Sequence, residues 1–306
     1  MNVLITGGTG FIGGKLTEII KEERDHVYIL TRGDHQAEHP YIHYVKYNPD
    51  DPDDNAWMRD MPKKIDIVYN LAGASLQNKW TEEYKEEILD SRLSVTRLLN
   101  KWIAHAEIKP DTFVNASAIG YYPVSKSARF DENDTFAAHD FLSSVVVAWE
   151  KEALKISEYG VRVVCARFGL ILDDEAGALP QMVTPYKFGA GGKLGSGEQW
   201  YSWIHIDDLL NAMLFVGVND EISGPVNMTS PMPLRQKQFS IYLGSVLGKP
   251  NFFTTPGFLL EKLLGEQSIL VLKGQYVIPE VLMKNDFKFI FPTLEVALED
   301  LFDSEV

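Results

Sequence analysis

The sequence predicts an α/β fold, a doubly wound parallel sheet followed by a smaller C-terminal region. Three observations carry this. Short β-type runs alternate with longer amphipathic stretches through the first 170 residues. A glycine cluster joins the first such run to the first amphipathic stretch. Beyond residue 170 the alternation gives way to Gly and Pro punctuation.

Taken in order, Val3–Thr6 reads as a strand and Phe11–Lys21 as a helix. His26–Leu30, Ile42–Tyr47 and Ile65–Leu71 read as strands. Glu82–Ala104 reads as a long helix whose apolar face is Ile88, Leu89, Leu93, Val95, Leu98, Leu99 and Ile103. Thr112–Ala116 is a strand, Phe141–Ser157 a helix and Val161–Phe168 a strand. Residues 173–204 carry the run Phe188–Gly197, which reads as a mobile or ligand-approaching segment outside the core. Ile206–Gly217 reads as a helix led by the capping-type pair Asp207-Asp208. The expected organisation is a nucleotide-type domain over 1–170 with a return segment at 205–230. Residues 171–204 and 231–306 form a smaller substrate domain.

The 306 residues are about twice the ~150-residue domain prior. With 45% hydrophobic and 24% charged residues, disorder and collagen are excluded. The single cysteine, Cys165, rules out an intrachain disulfide and a four-thiolate zinc site. A net charge of -14 argues against nucleic acid and anionic membranes as partners, and leaves a small-molecule substrate. No run of 18 apolar residues occurs, and the N-terminus lacks a basic region followed by a long apolar one. The expected location is the cytoplasm.

Thr6-Gly7-Gly8-Thr9-Gly10-Phe11-Ile12-Gly13 leaves the first strand and opens the first helix. Gly7, Gly10 and Gly13 have the spacing of a dinucleotide-binding turn. Such a turn needs a tight bend, close backbone approach to a pyrophosphate, and close helix–sheet packing. The helix N-terminus then presents unpaired N–H groups and a positive dipole end. The second strand ends in Thr31-Arg32-Gly33, where NAD sites usually carry an acid about 20 residues past the motif. Arg32, with Thr31 as a hydroxyl donor, favours NADP(H), because a guanidinium pairs with a phosphate. Asp34 keeps NAD(H) as the alternative.

The chain resembles the extended short-chain dehydrogenase/reductases. The matching pieces are Thr6–Gly13, Asn70-Leu71-Ala72-Gly73 and Ser117–Tyr122. Closer still, it resembles the epimerase family protein group, which is NAD-dependent epimerase/dehydratase-like and has its own C-terminal domain. That match runs through Lys79-Trp80, Ser91-Arg92, Ser117–Tyr122, Ala166–Gly169, Phe188–Trp200, Trp203–Asp208 and Gly224–Asn227, with a tail around Pro256–Gly265. The resemblance implies a Rossmann-type fold, NADP(H) binding and an oxidoreductase or epimerase label. The cofactor residues are then Gly7, Thr9, Gly10, Phe11, Ile12, Gly13, Thr31, Arg32, Leu71, Ala72, Gly73, Lys79 and Arg92. No metal site stands out among the seven histidines: His35 and His39 have i, i+4 spacing, but Pro40 follows and the stretch reads as a loop.

The superfamily's chemistry uses a Ser/Thr, a Tyr and a Lys four residues after the Tyr on one helix. The expected helix reads Phe141-Leu-Ser-Ser-Val-Val-Val-Ala-Trp149 and places Leu142 and Val146 where the pair should stand. Ala118 takes the usual hydroxyl position, with Ser117 one residue earlier. The catalytic candidates are therefore Ser117, Tyr121 and Tyr122, past the carboxyl end of a strand. Lesser ones are Tyr122 with Lys126, His139-Asp140 and His205; Arg167 reads as half of a buried pair, and Trp200 and Trp203 as substrate-stacking or loop-anchoring rings. Two functions remain open: an NADP(H)-dependent oxidoreductase or epimerase with non-standard acid–base residues, or a non-catalytic NADP(H)-binding sensor or scaffold. Monomer and homodimer are both open.

Overall fold

The computed structural model describes residues 1–37, 39–49, 51 and 55–302. The chain divides into two compact units. The first comprises residues 1–117, 144–166 and 213–225; the second comprises 118–143, 167–212 and 226–306.

Seven strands form the main sheet: β1 (Asn2–Thr6), β2 (His26–Thr31), β3 (Ile42–Lys46), β4 (Ile67–Asn70), β5 (Thr112–Ala118), β6 (Arg162–Phe168) and β7 (Gly224–Met228). Their order is β7-β6-β5-β4-β1-β2-β3. The pairings from β3 through β2, β1 and β4 to β5 are parallel. Val3, Leu4, Ile5 and Thr6 are all buried, as a central parallel strand requires. Strand order reverses between β1 and β4, and such a reversal opens a crevice at the strands' carboxyl ends.

The helices follow their apolar spacing. α1 (Phe11–Glu22) turns Leu16 and Ile20 inward. α2 (Glu82–His105) starts at Thr81, whose hydroxyl accepts the Tyr84 N–H at 3.2 Å. Its buried face is Ile88, Leu93, Val95, Thr96, Leu99, Trp102 and Ile103, while Leu89 and Leu98 are half-buried. α3 (Phe141–Leu154) stops short of Ser157. The chain tightens into a 3-10 turn over Lys155–Tyr159 and is closed by Gly160, whose φ of 79° is left-handed.

The first unit's core gathers Leu4, Leu30, Val68, Leu99, Trp102, Phe113 and Val163. The second unit corrects the expectation for residues 173–204. That stretch contains α4 (Leu179–Lys187) and the short strands Gly192–Leu194, Trp200–Tyr201 and Trp203–His205. Leu179, Val183, Tyr186, Tyr201 and Trp203 pack with Phe239, Leu243 and Leu298 in a second core. The glycines permit close pairing rather than looseness. A Cβ at Gly192 would stand 2.0 Å from the carbonyl oxygen of Phe253, its strand neighbour. α5 (Ile206–Val218), α6 (Gln236–Val246) and the helix Leu294–Phe302 complete the frame. No helix among the described residues is long and apolar enough to cross a membrane.

A buried polar knot ties the central strands together. Thr6 Oγ1 donates to Asn70 Oδ1 at 2.7 Å. Asn70 Nδ2 donates to Thr96 Oγ1 at 2.8 Å and to Asn115 Oδ1 at 2.7 Å. Replacing Asn70 with Ala leaves three polar side chains buried without this partner. We expect a loss of about 3 kcal/mol in urea unfolding. A loss below about 1 kcal/mol would show that the knot relaxes onto other partners.

Candidate functional site

The phosphate-type turn is built by backbone crowding. Gly7 has φ 70°, and a Cβ there would stand 2.9 Å from the Leu71 carbonyl. A Cβ at Gly13 would stand 2.3 Å from the Gly7 oxygen. The Gly10 N–H donates to that same oxygen at 2.9 Å. Gly10 precedes α1 without a side-chain cap, and no acidic residue lies in the first turn. Thr9 and Gly10 are exposed, while Phe11 and Ile12 are half-buried. The first-turn N–H groups of Phe11 and Ile12 have no partner within their own helix, as at any helix start. An uncapped, acid-free N-terminus beside a cradle that side chains would fill suits a pyrophosphate.

The opposite wall is the Asn70–Ala74 turn. Thr6 Oγ1 accepts the Leu71 and Ala72 N–H groups at 3.1 and 3.2 Å. Gly73 faces Arg92, whose Cζ would lie 2.9 Å from an added Cβ. Arg92 donates to the carbonyls of Ala74 (3.2 Å) and Ile88 (2.8 Å) and stacks 5.2 Å from the Trp149 ring. Burial draws its guanidinium down to about 10. Among the described residues it has no carboxylate partner, so its charge is available to an anion. Lys79 is exposed in the loop before α2.

At the edge of the same unit, Thr31 Oγ1 accepts the Gly33 N–H at 3.2 Å. Arg32 lines a cleft of about 290 Å³ with Lys46, Tyr47, Asn48 and Pro49. Lys46 is a second cation in this cleft. Its signal is positional, because the last residue of β3 stands opposite Thr31.

The catalytic candidates separate sharply. Ser117 is buried and its Oγ donates to Glu150 Oε1 at 2.5 Å. That bond holds the end of β5 to α3 and leaves the hydroxyl no proton for a substrate. Tyr122 has no exposed surface. Its hydroxyl accepts from Arg167 Nη1 and donates to Asn227 Oδ1, both at 2.9 Å. Burial pushes the phenol up to about 12, against the opposing pull of Arg167. In both, the hydroxyl proton is engaged by a partner within the protein. Tyr121 differs. Its hydroxyl accepts the Phe136 N–H at 3.0 Å, and Arg167 Cζ sits 3.5 Å from its ring centre. Its own proton is not fixed by that bond.

Tyr122 and Lys126 do not form a dyad. Residues 122–126 are not helical, and Lys126 is exposed while Tyr122 is enclosed. Asp140 caps α3, accepting the Ser143 N–H at 2.8 Å, while Ser143 Oγ accepts the His139 and Asp140 N–H groups. Val146 of α3 is buried. Trp203 is a core residue, while the Trp200 ring lies 3.6 Å under the Arg235 guanidinium. Asp208 does not cap its own helix. Its carboxylate accepts the N–H groups of Ile290 (2.7 Å) and Phe291 (2.9 Å).

The fold also gathers His205, Asp207 and Asp300 to within 4.8 Å, which no sequence spacing announced. His205 is buried, and its Nδ1 accepts the Asp207 N–H at 3.1 Å. The ring proton of the neutral imidazole therefore sits on Nε2, 3.4 Å from Asp300 Oδ2. Desolvation pushes this imidazole's pKa down, which keeps it neutral. At that distance Nε2 makes no hydrogen bond among the described residues, although it is buried.

Known proteins place this geometry. Residues 3–228 match the NAD dependent epimerase/dehydratase family. The chain belongs to that family. Residues 255–301 match a domain of unknown function, DUF1731. Epimerase family protein SH2119 of Staphylococcus haemolyticus is 44% identical over 301 residues, covering 98% of this chain and 99% of that one. The crystal structure of human epimerase family protein SDR39U1 with NADPH is 31% identical, with a TM-score of 0.89 and 99% of each chain covered. UDP-glucose 4-epimerase of Thermotoga maritima, at 15% identity and a TM-score of 0.78, shares the fold.

The enclosed Tyr122 generates a pH prediction. Its folded-state pKa lies above the ordinary 10.0, so its contribution to stability is full below about 10 and is lost as pH rises through about 12. Tyr122→Phe should cost about 1–2 kcal/mol at neutral pH, since Arg167 and Asn227 lose a partner. It should also reduce the alkaline slope of stability by one proton. Urea titrations from pH 7 to the alkaline limit of the fold read both effects.

Proposed function

We propose that the protein binds NADP(H) and uses it for oxidoreductase or epimerase chemistry on a small carbonyl or alcohol. The observation that carries the cofactor choice is Arg32, which lines an open cleft and has no ion pair among the described residues. A guanidinium there offers a bidentate partner to a 2′-phosphate. The NADPH in the human relative's crystal structure, spanning nearly the whole of this chain, supports the same choice.

Residues of the first unit would hold the cofactor. The Gly7–Gly13 turn and the open N–H groups of Phe11 and Ile12 receive the pyrophosphate. Leu71, Ala72 and Gly73 form the facing wall, and Arg92 supplies a desolvated positive charge behind it. When bound, the cofactor would donate hydride to a carbonyl in its reduced form or accept it from an alcohol in its oxidised form.

The chain's own proton handling falls to Tyr121. Its hydroxyl is oriented by the Phe136 N–H and its ring is faced by Arg167. A fixed cation at that ring stabilises negative charge developing on the oxygen as the proton leaves. Arg167 is in turn held by Tyr122.

A second reading has its own observation. Leu142 and Val146 occupy the places where the resemblance expects Tyr and Lys, and neither moves a proton. A non-catalytic NADP(H) sensor keeps the cofactor site and needs no donor.

Two substitutions separate these readings. Arg32→Ala should weaken NADPH by about 30-fold in calorimetric titration and leave NADH nearly unchanged. Tyr121→Phe should lower turnover of a screened carbonyl substrate by about 100-fold or more, with NADPH affinity retained. Wild-type protein that binds NADPH selectively but turns over no carbonyl or alcohol supports the sensor instead.

A further inference from the structure

Arg32 does not stand alone at its strand end. β2 and β3 pair in parallel with Thr31 opposite Lys46. That register brings two cations to the carboxyl ends of adjacent strands, and both line the same cleft. Lys46 is already engaged. Its Nζ lies 2.7 Å from Asp34 Oδ1 and 2.8 Å from Oδ2. The side chains of Asp34 and Lys46 are 87% and 56% exposed, so water screens this pair and it is weak. A phosphate monoester carries about 1.5 to 2 negative charges at neutral pH and three strong acceptor oxygens. One guanidinium leaves part of that charge unmatched.

We propose that Lys46 is the second cation of the 2′-phosphate site and that Asp34 is its built-in competitor. Binding of NADP(H) exchanges the Asp34 carboxylate for the phosphate on Lys46. NAD(H) has no 2′-phosphate, and with it the Asp34–Lys46 pair stays closed. Cofactor preference is then set by the difference between two ion pairs on one lysine, and Asp34 limits it. This rests on the NADP(H) reading above.

The test uses the full-length protein, with 2′,5′-ADP and 5′-AMP as probes that differ only in the 2′-phosphate. Lys46→Met should weaken 2′,5′-ADP by about 10-fold and leave 5′-AMP unchanged. Asp34→Asn should tighten 2′,5′-ADP by about 3-fold, the scale of an exposed pair. The double variant Asp34→Asn/Lys46→Met should match Lys46→Met alone, because there is no lysine to release. A gain that persists in the double variant means plain repulsion by Asp34 and overturns the exchange. An unchanged affinity in Lys46→Met overturns the second cation. Arg32→Ala keeps the two levels apart. If it leaves 2′,5′-ADP binding intact, the NADP(H) reading itself fails. If it abolishes the selectivity while the Lys46 and Asp34 variants do nothing, only the present proposal fails. Both side chains are exposed, so unchanged melting temperatures should accompany every effect.

Discussion

The close approach of two backbone turns governs the first unit. Gly7 and Leu71 come so near that no side chain fits between them. Thr6 makes that approach tolerable, because its hydroxyl accepts two N–H groups of the facing turn while donating to Asn70. Asn70 passes the constraint on to α2 through Thr96 and to β5 through Asn115. The indole N–H of Trp149 in α3 reaches the same Thr96 hydroxyl at 3.0 Å. One buried network therefore fixes the spacing of the central strands, the helices behind them and the mouth of the crevice. Buried polar groups of this kind demand full satisfaction, which makes the arrangement specific as well as stable.

Much of this frame was legible in the residues. The alternation of short apolar runs with amphipathic stretches located the sheet strands and the long helices, because period and length are local properties. The turn between β1 and α1 announced itself through three glycines, whose steric need is equally local. The stretch 173–204 misled for the same reason. Glycine signals freedom to bend, but it also signals closeness, and only the tertiary partner Phe253 shows which applies at Gly192.

The polar interior was less legible. The bond between Ser117 and Glu150 spans 33 residues, and that between Tyr122 and Asn227 spans 105. Nothing in the neighbourhood of either hydroxyl reveals that a distant partner takes its proton. Tyr121 and Tyr122 are adjacent and chemically identical, yet one hydroxyl is closed on both sides and the other receives a single N–H. Lys46 escaped notice because its relation to Arg32 lies across strands, through register rather than spacing. What the residues did show was a lack. Leu142 and Val146 stand where the resemblance expects the tyrosine and the lysine.

Two buried acids in the second unit bear on modularity. Glu132 accepts the N–H groups of Glu280 and Val281 as well as that of Asn227, and Asp208 accepts those of Ile290 and Phe291. Glu132 and Asp208 lie within the span matched by the epimerase/dehydratase family, while four of their donors lie within the DUF1731 span. Cutting the chain between those spans would strand two carboxylates in an interior with too few donors. The division visible in sequence is thus not a seam in the molecule. The later segment is a structural completion of the earlier one, and the two cannot be shuffled among unrelated chains as independent cassettes.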